Sequence, residues 1–234
     1  MNTNQILENY AIGQRHLTEI DLSGISLRGI NLSGADFSHS NFSEADLSNV
    51  NLSGVNLSNA DLRGTNLVGA NLSEANLTGA KLSEANLSNA NLSAANLSQV
   101  DANRAFLFCA NLSQANLSNA FLFNASLSYA CLIHAKMTDV SLIGANLVGA
   151  DFRDCNLTGS FLIVSDLRNA NLSGAKLTQV DLNSSNLSGA NLTKANLEGA
   201  DLSWVNLVDA NLRGVDLSLA NLTNTTLPDG FRFK

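Results

Sequence analysis

The chain has 234 residues, of which 14% are Asp, Glu, Lys or Arg, against about a quarter in an ordinary globular domain. Its 45% apolar content, single proline and lack of any apolar run near the ~20 residues of a membrane span argue against both a disordered segment and a membrane protein. Thirteen basic against twenty acidic residues give a net charge of −7, which argues against nucleic-acid binding by phosphate neutralisation.

Residues 1–14 predict a short capping helix. Ile6, Leu7, Tyr10 and Ala11 fall at i, i+1, i+4 and i+5, with Thr3 or Asn4 as N-cap and Gly13 as C-cap. The stretch has no signal-peptide core, so the expected location is the cytoplasm.

Residues 15–227 are a repeat of period five. Stepping by five from Leu17 to Leu227 gives 43 positions; 38 are Leu, three are Phe (Phe37, Phe42, Phe152), and the others are Ala102 and Met137. Two residues before each stands a small or β-branched residue, as at Ala35, Ala60, Val100 and Ala190. Asn or Asp usually lies between them, and Ser, Thr or Arg usually follows. Five matches neither the 3.6 of a helix nor the 2.0 of a flat strand, so the chain must turn once per pentapeptide. With the large residue i and the small residue i−2 pointing inward, positions i−1, i+1 and i+2 face outward. Each unit is then one side of a stacked coil whose core is continuous along the axis. The period by itself leaves the number of sides open.

Segments such as Ala45-Asp46-Leu47-Ser48-Asn49 and Ala70-Asn71-Leu72-Ser73-Glu74 resemble the A(D/N)LXX unit of the pentapeptide-repeat family. The resemblance implies an all-β fold, a right-handed quadrilateral β-helix, here of about eleven coils at ~4.8 Å each. The stretches Tyr10-Ala11-Ile12-Gly13-Gln14-Arg15 and Leu227-Pro228-Asp229-Gly230 resemble the termini of single-domain cyanobacterial members, among them a regulator of heterocyst differentiation.

With four sides, residues twenty apart share a column. One outward column runs Asn31, Asn51, Asn71, Asn91, Asn111, Cys131, Asp151, Asn171, Asn191, Asn211 and predicts stacked amides bonded along the axis. Another side breaks the polar pattern in mid-chain. Its i−1 column reads Asp101, Phe121, Ser141, Phe161, Asp181, and its i+1 column Asn103, Phe123, Ile143, Ile163, Asn183. Val164 belongs to that side; Phe106, Phe108, Tyr129 and Val148 follow around the corner, and Ile133 lies one side further. Outside this stretch only Val68, Trp204, Val208 and Leu219 are comparable. Such a concentration marks a binding surface, with cross-strand packing of the same residues or side-by-side self-association as alternatives. Ala102 replaces a core Leu beside it, predicting a small void or a local bulge, with Phe106 beginning the apolar surface rather than refilling the core.

Residues 228–234 close the chain. Pro228-Asp229-Gly230 breaks the repeat, and Phe231 and Phe233 are expected to fold back over the last coil.

Catalysis lacks parts. His16, His39 and His134 are far apart, Cys109 and Cys131 face outward without a neighbouring base, Cys155 faces inward, and no metal-ligand, nucleophile or phosphate-loop spacing occurs. No cofactor, metal, membrane, nucleic acid or small-molecule substrate is expected. The reading is a non-catalytic regulator docking a protein partner, or a copy of itself, through Phe106, Phe108, Phe121, Phe123, Tyr129, Ile133, Ile143, Val148, Phe161, Ile163 and Val164. Two alternatives remain: a DNA mimic acting on DNA gyrase, as the resemblance implies for some members, and a rod without a specific partner. The dilution of Asp by Asn, the interrupting cations and the missing C-terminal dimerising helix weigh against the DNA mimic.

Overall fold

The structure, a computed structural model, describes residues 3–233. Helix α1, Thr3–Ala11, is closed by Gly13 at φ 86°. The Gln14 N–H donates to the Asn9 carbonyl (2.9 Å) and the Gly13 N–H to the Tyr10 carbonyl (3.1 Å), the paired bonds of a Schellman end. Ile6 is buried and Tyr10 partly so, its hydroxyl donating to the Ser33 carbonyl at 2.7 Å. The expected four-residue apolar face is narrower than predicted. Leu7 and Ala11 are exposed, because a 3.6-residue period puts residues 6 and 10 over the core and turns 7 and 11 about 100° away. Asn4 lies inside the helix rather than at its cap, and the Thr3 hydroxyl donates to the Ser26 carbonyl (3.2 Å).

From His16 onward the chain is a β-helix solenoid. Parallel bridges join residues twenty apart, from His16 with Asp36 to Asn206 with Thr226, so four pentapeptides make one coil. One unit shows why. The Leu47 N–H donates to the Asn66 carbonyl (2.8 Å), the Asn66 N–H to the Ala45 carbonyl (2.9 Å) and the Asn49 N–H to the Val68 carbonyl (2.9 Å), all between coils. Within the coil the Val50 N–H returns to the Leu47 carbonyl (3.2 Å) and closes a four-residue turn. That turn needs a left-handed residue in third place, here Asn49 at φ 56°, which Gly or Asn adopts cheaply. The remaining outward donor, at i+1, is taken by the i−1 side chain, as when the Ser53 N–H donates to Asn51 Oδ1 (3.1 Å).

The core is a column of Leu alternating with Ala or Val, with Phe37 and Phe42 edge-to-face at 5.2 Å. Small polar residues at i−2 bury their groups by donating to carbonyls of the coil before: Thr65 to Phe42 (2.8 Å), Ser160 to Met137 (2.6 Å) and Cys155 to Leu132 (2.6 Å). At Ala102 the ladder is regular, with its N–H on the Phe121 carbonyl at 2.8 Å, so the expected bulge does not form. Phe106 stays on the surface.

At the C-terminal end Leu212, Val215, Leu217, Ala220 and Leu222 are only partly buried. Phe231 does not cover them and is 61% exposed; Phe233 rims an open recess beside Leu217 and Leu222. The tail instead pairs backbone to backbone around Pro228-Asp229-Gly230: Thr226 bridges Arg232, and the Phe233 N–H donates to the Thr225 carbonyl (2.8 Å). Alternation along an extended segment sends Arg232 to the face opposite the two rings, where its guanidinium lies 5.0 Å over the Trp204 ring.

Candidate docking surface

The coil geometry fixes which side chains meet. The side through Leu122 and Leu142 is called the front; the next side in chain order, through Leu127, is the flank. Bridges Asp101–Phe121, Phe121–Ser141, Ser141–Phe161 and Phe161–Asp181 stack the front i−1 column in the predicted order, and Asn86–Phe106 and Phe106–Ser126 begin that of the flank.

Seven of the eleven predicted residues are exposed: Phe106, Phe108, Phe121, Phe123, Tyr129, Phe161 and Val164, from 37% at Phe123 to 62% at Val164. Ile133, Ile143, Val148 and Ile163 are half-buried. The front brings together Phe121, Phe123, Ile143, Phe161, Ile163 and Val164, whereas Phe106, Phe108, Val148 and Tyr129 belong to the flank and its far corner, and Ile133 to the third side. Other exposed large apolar residues lie near the ends (Leu7, Ile12, Leu219, Phe231, Phe233), apart from Trp204, which stacks with Arg232.

Two clusters have distinct geometry. On the flank, Phe108 and Tyr129 meet edge-to-face at 6.0 Å, and the Tyr129 ring lies across Gly149, where a Cβ would stand 2.6 Å from its Cε1. On the front, Phe121 and Phe161 bracket Ser141, which is only 7% exposed with no partner for its hydroxyl. Burying a hydroxyl unpaired costs about 1–3 kcal/mol. Phe has no oxygen to receive the i+1 donor. Asn103 Oδ1 of the previous coil takes over for the Phe123 N–H (2.8 Å), while the N–H groups of Phe108 and Ile163, two residues after a Phe, and of Ile143, two after Ser141, make no bond among the described residues, as is also the case for Ser83, Thr138 and Thr178, two after lysines. Val164 adds backbone strain, being the one β-branched residue at positive φ (57°) among the described residues.

A shallow recess of about 390 Å³ borders the front patch, lined by Ser83, Glu84, Asn103, Arg104, Phe123 and Asn124, with the Glu84–Arg104 ion pair (3.1 Å) at its rim. Elsewhere three carboxylates are matched by an arginine two residues on, in the pairs Asp61–Arg63, Asp151–Arg153 and Asp166–Arg168. Hydrogen bonds from Arg63 and Arg168 hold the Asp61 and Asp166 carboxyls below the usual range. The predicted amide ladder exists in part: Asn51, Asn71, Asn91 and Asn111 each donate to the amide one coil back (3.0–3.2 Å), the series stops at Cys131 and Asp151, and Asn191 resumes it on Asn171 at 3.2 Å.

Among the described residues no group of three or more His, Cys, Asp or Glu could hold a metal ion, and no helix is long and apolar enough to cross a membrane. Burial pushes the Cys155 thiol up to about 12, which makes it a poor nucleophile. Sequence reasoning had Ser141 in the right column but gave it no part in the surface. Its place between two rings was the available signal; the unpaired N–H groups and the strain at Val164 needed the backbone.

The family model for pentapeptide repeats matches eight copies, over residues 16–54, 56–93, 70–107, 105–144, 145–183 and 185–224. Among solved structures, HetL, a pentapeptide repeat protein involved in heterocyst differentiation regulation from the cyanobacterium Nostoc sp. strain PCC 7120, is 34% identical with a TM-score of 0.69, covering all of both chains. QnrB1, a plasmid-mediated fluoroquinolone resistance protein, is 18% identical with a TM-score of 0.55, over 92% of this chain and 94% of its own; that likeness shows the fold alone. A search of the curated proteins gave no match.

Proposed function

Starting from the fact that this chain belongs to the pentapeptide-repeat family, we propose that it is a non-catalytic regulator that docks a protein partner through the apolar patch at the middle of its rod. The observation that carries the reading is the clustering of seven exposed large apolar residues between Phe106 and Val164. A soluble rod gains nothing from such exposure unless it is covered in use. The strained Val164, a backbone cost accepted inside the patch, supports it.

The rod is read as a right-handed coil of about eleven turns, at four pentapeptides per turn, with residues 1–14 as its cap and 228–234 as its tail, working in the cytoplasm. By likeness to HetL, which spans the same length, the setting is control of cell differentiation in a cyanobacterium. Gyrase mimicry has less support. A DNA mimic needs a dense negative stripe, and here Asp61, Asp151 and Asp166 are each neutralised by their own arginine.

The test is a pull-down from cells of the source organism with the wild-type chain and the Phe123→Asp, Phe161→Asp pair as baits. Both residues are exposed, so the pair keeps the fold by circular dichroism. A partner retained by the wild type and lost by the pair is the expected result; equal retention refutes the reading.

A further inference from the structure

The front patch has a shape that narrows its occupant. We propose that it pairs with the front of a second copy of this chain, the two rods parallel and in register. The inference rests on the docking reading above and names the partner for one side of the patch.

Two twofold axes can bring identical flat sides face to face. An axis running across the rod at Ser141 reverses one copy. It sets Asp101 against Asp181, so like charges meet. An axis running along the rod between the copies keeps each coil level with its counterpart and sets the i−1 column of one against the i+1 column of the other. Asp101 then meets Asn103, Asp181 meets Asn183, Asp61 meets Arg63, Phe121 meets Phe123 and Phe161 meets Ile163. These polar pairs are already compatible within one chain: the Asn103 and Asn183 N–H groups donate to Asp101 and Asp181 (3.2 and 2.9 Å), and Arg63 binds Asp61. Two copies of a chain with net charge −7 can therefore approach over this side without opposing carboxylates.

The same axis packs Phe121 and Phe161 of one copy against Phe123 and Ile163 of the other, ring surface against apolar surface. Phe121, Phe123 and Phe161 are 48%, 37% and 46% exposed. At about 200 Å² per aromatic side chain, pairing would cover on the order of 500 Å² of ring surface, below the ~1,200 Å² of a stable interface. The pair is therefore reversible and fills at high concentration.

The experiment begins with light scattering on the wild-type chain over a concentration series. The mass is expected to rise toward twice that of the chain and to stay at one chain for the Phe123→Asp, Phe161→Asp pair. Orientation is read by disulfide trapping after replacing Cys109 and Cys131 by Ser. A mixture of Asp181→Cys and Asn183→Cys chains should cross-link at least about tenfold more than either alone, whereas a mixture of Asp101→Cys and Asp181→Cys chains should not. Cross-linking in the second mixture, or a wild-type mass fixed at one chain at every concentration, overturns the proposal. A fixed monomer whose extract partner is still lost in the Phe→Asp pair leaves the docking reading standing alone; a pair that changes neither mass nor pull-down removes both.

Discussion

The asparagine column from Asn31 to Asn111 and the middle of the front side are built on the same backbone and treat their outward donors in opposite ways. In the column the amide oxygens of Asn31, Asn51, Asn71 and Asn91 each accept twice, from the i+1 N–H of their own unit and from the amide one coil on, as Asn51 does from Ser53 (3.1 Å) and Asn71 (3.2 Å). On the front, rings replace those oxygens at Phe121 and Phe161, one donor is rescued by Asn103 (2.8 Å), that of Ile163 is left over, and Ser141 does not bond the N–H of Ile143. The core beneath is equally well filled in both places, with Leu72 and Leu142 buried alike. The difference is confined to the surface, so that stability rests on the core and ladders, while on the docking reading proposed above the patch serves recognition.

The sharpest attack on this comparison is on the core. Leu72→Ala and Leu142→Ala should each cost about 2–5 kcal/mol by denaturant unfolding, and nearly equally; a much smaller loss at Leu142 would mean that the middle of the rod is already loose. Next, Asn91→Ala removes the acceptor for the Ser93 N–H and for Asn111, and a loss of about 1–3 kcal/mol is expected. The converse change is smaller and of opposite sign. Phe161→Asn supplies the oxygen that the Ile163 N–H lacks, so unfolding stability should rise by about 0.5–1.5 kcal/mol while partner capture falls. Val164→Asn relieves the left-handed strain and should add less than about 1 kcal/mol, again weakening capture.

The smallest effect concerns pH. The Asp61 and Asp166 carboxyls titrate below the ordinary 3.8 in the folded chain, so their contribution is complete above that value and is lost as pH falls through the depressed one. Thermal unfolding followed against pH should be flat near neutrality and decline below about pH 4. The Arg168→Ala variant should show a shallower decline, modest because the pair is largely exposed.

Much of this molecule could be read from residue order. A uniform step of five from Leu17 to Leu227 forces a turn in every unit, and the inward pair at i and i−2 is buried almost throughout. The order of the front columns and the exposure of Phe121, Phe123 and Phe161 follow once the twenty-residue coil is known. The helix face was misjudged at Leu7 and the tail at Phe231, because at each end no further coil imposes the repeat and local backbone pairing decides.

What the sequence determined by itself is the solenoid and the place of its apolar irregularity, since each unit repeats one local solution and its register cannot slip without turning Leu outward. Only the tertiary structure decided which outward groups are satisfied. Whether the N–H of Ile143 or the hydroxyl of Ser141 finds a partner depends on atoms twenty residues away in the adjoining coils, and on ring positions that no period encodes.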